Sequence, residues 1–156
     1  MTLQSFCAQF GQESFASECT MIGRRWFFAP KKILAIAQQH HWDIFSVGLY
    51  LGEERNGFHP TSALVELLAK NKKHDEVNDI VLVNDKAAWL FVCGRDVLMH
   101  GVLDTSAEKD KIVFVEDSTG NILGFGKVIA RYDRKYRNKL YIKNILDKGE
   151  YLRRER

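Results

Sequence analysis

The residues best suited to chemistry on a partner are cations, and they are gathered at one end of the chain. From Lys127 onward the sequence carries eleven Lys and Arg against four Asp and Glu, a net of +7; residues 1–126 carry twelve against sixteen, a net of −4. The overall +3 therefore hides a basic tail on a mildly acidic body, an asymmetry that suits a polyanionic partner. Lysine and arginine capture such a partner by neutralising phosphates and releasing counterions. Arginine adds bidentate phosphate geometry and stacks on bases. Tyr132, Tyr136 and Tyr141 lie among the charges and offer faces to unpaired bases, although Tyr141 and Tyr151 alternate with apolar neighbours in the manner of core residues. The bland alternative is a solvated surface, with Arg153, Arg154 and Arg156 adding only a diffuse field at the terminus.

Other reactive types are poorly arranged for catalysis. The glycines of GFG (124–126) would need a third glycine at Ile129 and a following helix to make a nucleotide loop, so a strand is the better reading. Cys93 and His100 could form a thiol–imidazole pair, but no third orienting group accompanies them. His40, His41, His59 and His74 show no metal-type spacing, and no metal or cofactor is expected. Cys7, Cys19 and Cys93 are an odd number without metal-type spacing and read as reduced thiols in core packing, consistent with a cytoplasmic protein. No signal peptide is visible at MTLQSFCAQF, and no apolar run approaches the length needed to span a bilayer.

These cations need a scaffold, and the apolar pattern supplies one. The chain is 46% apolar and 12% aromatic, enough for a core in one domain or two small ones. In the tail, Ile122, Leu123, Phe125, Val128 and Ile129 precede the charges, while Leu140, Ile142, Ile145, Leu146 and Leu152 are threaded through them. A disordered arm would lack them.

Upstream, residues 4–10 read as a short helix ended by Gly11. CTMIG and RWFFA read as a hairpin with Arg24 and Arg25 at a solvated tip. Pro30 opens a helix over KKILAIAQQ with Ile33, Leu34 and Ala37 on one face, and His40 and His41 suit its C-terminus. IFSVGLYL (44–51) predicts a strand broken by Gly52. TSALVELLAK predicts a second helix, capped by Thr61 or Ser62, with Ala63, Leu64, Leu67 and Leu68 inward. The polar run NKKHDEVND (71–79) marks a domain boundary, which puts an α/β domain at 1–76 and a mostly β domain at 77–156. In the latter, IVLV, GVL, IVFVED and ILGFGKVIARY predict strands, NDK a turn before the apolar AAWLFVCG, and the glycines a small barrel. Gly124, Gly126 and Ala130 suggest close backbone approach or a bend.

AAWLFVCGRDVLMHGVL followed by VFVEDSTGNILGFGKV and a closing basic segment resembles a PUA domain, a small RNA-binding barrel. With the ending YIKNILDKGEYLRR, SVGLYLGE and the helix behind FHPTSAL, the chain resembles the Nip-seven family of large-subunit ribosome biogenesis factors, found in archaea and eukaryotes, over roughly residues 26–156. The N-terminus is shorter than the family pattern. The resemblance implies an α+β chain: an N-terminal α/β domain with a small antiparallel sheet and helices, then a PUA-type β-barrel. It implies binding to pre-rRNA in single-stranded segments, contacts with other assembly factors through the N-terminal domain, and no catalysis, cofactor or membrane. The cations expected at RNA are Lys127, Arg134, Arg137, Lys139, Lys143, Lys148, Arg153 and Arg154. Leu140 and Leu146 stand where the family pattern is basic, and Lys148 is the substitute at hand for the second. The alternatives are an RNA-modification enzyme or its PUA specificity subunit, and a protein–protein adaptor.

Overall fold

The computed structural model describes residues 1–39, 44–71 and 79–154, and the chain divides into two compact units, Met1–Lys70 and Asn71–Arg156. His40, His41, His74 and most of the polar run 71–79 lie outside the described residues.

The first unit contains α1 (Leu3–Ala8), α2 (Glu13–Ser17), β1 (Thr20–Ile22), β2 (Arg25–Phe28), α3 (Lys31–Gln39), β3 (Leu49–Glu54), β4 (Phe58–Pro60) and α4 (Ser62–Lys70). Its strands form an antiparallel sheet in the order β1-β2-β3-β4. Thr2 and Ser5 cap α1 reciprocally, and its apolar side chains Leu3, Phe6 and Cys7 are buried. Glu54 ties the helix to the sheet, accepting hydrogen bonds from the Leu3 backbone (3.1 Å) and from Trp26 Nε1 (2.8 Å).

Three expectations need correction here. Gly52 does not break its strand: it lies inside β3, pairs with Trp26 and Pro60, and an added Cβ would collide with the His59 carbonyl. The strand accordingly starts at Leu49 and leaves Ile44–Val47 outside it. On α3, Leu34 packs on the Phe27, Ala29 and Val47 cluster, but Ile33 is exposed, as is Ile36. On α4, Leu64, Val65 and Leu68 are the buried face, and the Thr61 hydroxyl donates to the Tyr50 carbonyl at 2.9 Å.

The second unit contains β5 (Ile80–Val83), α5 (Asp85–Val92), β6 (Val97–Leu98), a 3₁₀ turn (Met99–Gly101), β7 (Val102–Thr105), β8 (Ile112–Glu116), β9 (Ile122–Val128), β10 (Leu140–Asp147) and α6 (Glu150–Arg154). The strands form one nearly closed, barrel-like sheet in the order β6-β10-β9-β8-β5-β7, antiparallel except for β5 with β8. Val81, Val83, Phe91, Val113, Val115, Val128, Tyr141 and Ile142 fill its core. Tyr141 is thus a core residue, its ring 5.3 Å from that of Tyr132 and its hydroxyl bonded to Thr105.

The NDK segment starts a helix: Asn84 is the N-cap of α5, its side chain accepting from the Ala87 N–H at 2.9 Å, and Asp85 sits in the first turn. β9 ends at Val128, so Ile129 and Ala130 already belong to the following loop. The β8–β9 turn is held by Asp117. Burial opposes its ionisation, but hydrogen bonds from Asn121 and Thr119 overcome that and hold the carboxyl down at about 2.

The cysteines divide by environment. Cys7 and Cys19 have thiols pushed up to about 12, chiefly by burial, whereas Cys93 is exposed at the C-terminus of α5 and so is not core packing. A thiol reagent at neutral pH should therefore titrate Cys93 in the native protein, and all three cysteines only in denaturant. Fast native reaction of a second thiol would contradict this packing.

Candidate nucleic-acid interface

The centre of the basic face is a cross-strand pair. β10 pairs antiparallel with β9 so that Lys143 stands directly opposite Lys127. Like charges in that relation destabilise a sheet unless something lies between or beside them. One partial counter-charge is present: Asp110, in a left-handed turn (φ 71°), places its carboxylate 3.6 Å from Lys127 Nζ. Lys143 is exposed and has no ion-pair partner among the described residues. A phosphate seated between the two ammonium groups would relieve their repulsion.

The loop between β9 and β10 continues this charge. Residues 131–139, RYDRKYRNK, hold five cations and a single acid. Arg131, Arg134, Lys135, Arg137 and Lys139 are all exposed. The loop is nonetheless fixed. Both the backbone N–H of His100 (3.0 Å) and its Nδ1–H (2.9 Å) donate to the Arg137 carbonyl, and the Met99 N–H donates to the Lys139 carbonyl (3.0 Å). Asp133 caps the interior of the loop, its Oδ1 accepting from the Lys135 N–H at 2.9 Å. Arg131, Tyr132, Asp133, Tyr136 and Lys139 enclose an open depression of about 460 Å³.

Five of the expected RNA cations thus lie in one region: Lys127 and Lys143 on the strands, Arg137 and Lys139 where the loop enters β10, and Arg134 on the same loop. Lys148 follows the opposite end of β10, roughly 17 Å along the strand from Lys143 at about 3.3 Å per residue. Leu146 is buried, because the irregular register between Asn144 and Leu146 leaves Ile145 exposed and turns Leu146 inward.

Arg153 is differently engaged. Its Nη1 and Nη2 grip Asp147 at 2.8 and 2.6 Å, and Nη1 also donates to the Val92 carbonyl at the end of α5. Asp147 is only 3% exposed and accepts in addition from the Gly149 N–H and from Asn144 Nδ2. Asn144 in turn donates to the Phe91 carbonyl. The DKGEYLRR ending and the asparagine of IKN therefore clip the C-terminal helix to the end of α5. The side chain of Arg154 lies outside what the structure describes.

Two members of the cationic loop, Arg131 and Lys135, were not singled out from the sequence, although the local charge count contained the signal. Lys111 was also missed. It precedes β8, and its carbonyl accepts from the Val128 N–H (2.9 Å), which brings the 109–111 turn beside the end of β9. That is a long-range pairing with no local sequence mark. His59 and His100 each spend a ring nitrogen on a backbone carbonyl, of Arg55 and Arg137, in structural roles.

Comparison with known proteins bears on the fold and the family. A curated archaeal protein from Archaeoglobus fulgidus, described as a UPF0113 protein, is 32% identical over 81 residues, 49% of this chain and 46% of that relative, so the match spans less than half of the relative's length. A conserved PUA domain protein from Thermoplasma acidophilum superposes over 99% of this chain and 96% of its own at TM-score 0.56 and 16% identity. A hypothetical protein from Pyrococcus horikoshii OT3 does so over 96% and 90% at TM-score 0.59 and 14% identity. At such identities these structures speak for the fold alone. The model of the UPF0113 PUA domain family matches residues 79–156, half of the chain. The chain belongs to the UPF0113 PUA domain family.

Proposed function

We propose that this protein is a non-catalytic RNA-binding factor of large-ribosomal-subunit assembly, of the Nip-seven type, which holds single-stranded segments of pre-rRNA on its C-terminal domain. The family is a PUA family, and PUA domains are generally RNA-binding. The carrying observation is the opposed pair Lys127 and Lys143 continued by the cationic loop 131–139, an excess of positive charge that Asp110 offsets only in part. In this reading residues 77–156 form the RNA-binding domain, with Lys127, Arg134, Arg137, Lys139 and Lys143 at phosphates. Lys148 and Arg154 extend the field, and the hydrogen bonds of Arg153 favour a role in the fold. Residues 1–76 meet other assembly factors. Exposed Ile33, Ile36, Phe45 and Leu49 in the N-terminal unit support that role.

The test is affinity for a short unstructured RNA as a function of salt, in wild type and in Lys127→Ala/Lys143→Ala. The expected result is a steep salt slope that flattens by about one to two units in the variant, the loss of up to two phosphate contacts. Removing two like charges that face each other should leave stability unchanged or slightly raised. If wild type binds RNA no better than a charge-matched control protein, the reading fails. Protein capture that survives nuclease treatment, without intrinsic RNA affinity, would make the chain an adaptor instead, the role that the exposed apolar side chains of the first unit would serve.

A further inference from the structure

Beyond the phosphate contacts, we infer that the depression in the β9–β10 loop is a seat for one unpaired nucleobase, through which the domain selects single-stranded over duplex RNA. The inference rests on the RNA-binding reading above and gives it a discriminating element.

Tyr136 is 59% exposed although the loop around it is tightly hydrogen-bonded, so its ring is presented by a rigid frame. Its own backbone is part of that frame: its N–H donates to the Asp133 carbonyl (3.1 Å), and its carbonyl accepts from Lys139 (2.9 Å). Lys139 Nζ lies over the ring, 5.5 Å from its centroid, and from there it can turn to the phosphate that follows a base stacked on Tyr136. Arg131, also lining the depression, supplies a second planar cation. Tyr132 forms a wall that cannot swing away, since its ring packs on buried Tyr141 and its hydroxyl reaches the Val102 carbonyl. A cavity of about 460 Å³ is in the range of small-ligand sites.

Asp133 is the informative residue, an acid that lines a cationic depression. One of its oxygens holds the Lys135 N–H, while Oδ2 has no hydrogen-bond partner among the described residues. It would repel phosphate, and its capping bond to the loop occupies only one of its two oxygens. As an acceptor for a base it is well chosen. Each of the four bases carries at least one N–H on its Watson–Crick edge, and in a duplex those protons are already engaged. A carboxylate beside a stacking ring therefore admits an unpaired base of any identity and rejects a paired one.

The experiment compares binding of an unstructured RNA oligonucleotide with binding of a blunt-ended RNA duplex of similar length, for wild type, Tyr136→Ala and Tyr136→Phe. Tyr136→Ala should weaken the single strand about tenfold while leaving the duplex and the salt slope unchanged, because a stacking contact is lost and no charge is removed. Tyr136→Phe should retain wild-type selectivity, which separates stacking from a collapsed loop. Equal losses on both RNAs, no loss on either, or failure of the phenylalanine to restore selectivity would overturn the inference while leaving RNA binding itself in place. A wild type that binds neither RNA would bring down both the inference and the reading beneath it.

Discussion

Gly124→Ala is expected to cost the C-terminal domain about 3–5 kcal/mol of stability, the sum of a strained backbone and an unyielding collision. Gly124 has φ +157°, at the edge of the region open to glycine, and sits in β9 opposite Asp147. An added Cβ would strike the Leu146 carbonyl oxygen and lie 2.8 Å from the Asp147 Cα. Both are backbone atoms of the neighbouring strand, so no rotamer change relieves the clash; β10 must move, and with it the pairing that sets Lys143 against Lys127. Gly120→Ala is the internal control. It also has positive φ (+88°) but nothing within 4 Å of the added Cβ, so only the local conformational penalty of about 1 kcal/mol remains. Gly126→Ala should fall between them, since the nearest atoms it meets belong to the side chains of Ile142 and Val115, which yield more readily than backbone although both are buried. Denaturant unfolding of the three variants gives the ranking. Equal losses at Gly124 and Gly120 would mean that the close approach of β9 and β10 does not limit the fold.

That close approach was legible in the sequence, whereas its consequences for the site were not. Two glycines spaced through one strand point to a bend or to close backbone approach, and at Gly124 and Gly126 the second holds. The tail's apolar residues likewise announced a folded segment, and β10 and α6 are that segment. The pairing of Lys127 with Lys143 is another matter. β10 is irregular against both neighbours, at Leu140–Ile142 and at Asn144–Leu146, so simple alternation along LYIKNILD does not say which side chains share a face. The register is decided by the whole barrel. Local signals misled in two places for identifiable reasons. Asn84–Asp85 looks like a turn but caps a helix, because Ala87, Ala88 and Phe91 behind it bury one face. Gly52 looks like a strand end but is demanded by the nearness of β4. The depression at Tyr136 depends on His100 reaching across 37 residues to the Arg137 carbonyl, a contact that no stretch of sequence advertises.

Charge alone also could not separate cations that hold the fold from cations that serve a partner, and Arg153 makes that difference measurable. Arg153→Ala would strand a carboxylate that is 3% exposed, leaving Asp147 with only the Gly149 N–H and Asn144. Removing one member of a buried pair is costly because the other keeps its desolvation penalty, typically about 3–5 kcal/mol. Here the guanidinium side is 39% exposed and the helix that carries it is terminal, so water can reach Asp147 as α6 detaches and the loss, read as a lowered melting temperature, should fall short of that range. Arg153→Lys should recover little of it, since one ammonium cannot span both carboxylate oxygens and the Val92 carbonyl. For RNA the expectation is reversed. At temperatures where the variant is folded, its salt slope should stay at the wild-type value, whereas Lys143→Ala should lose about one unit of slope with no loss of stability. If instead Arg153→Ala flattened the slope and left the melting temperature in place, the arginine would belong to the RNA face. Asp147 would then be there to orient it, and the basic surface would reach from the β9–β10 loop to the end of α5.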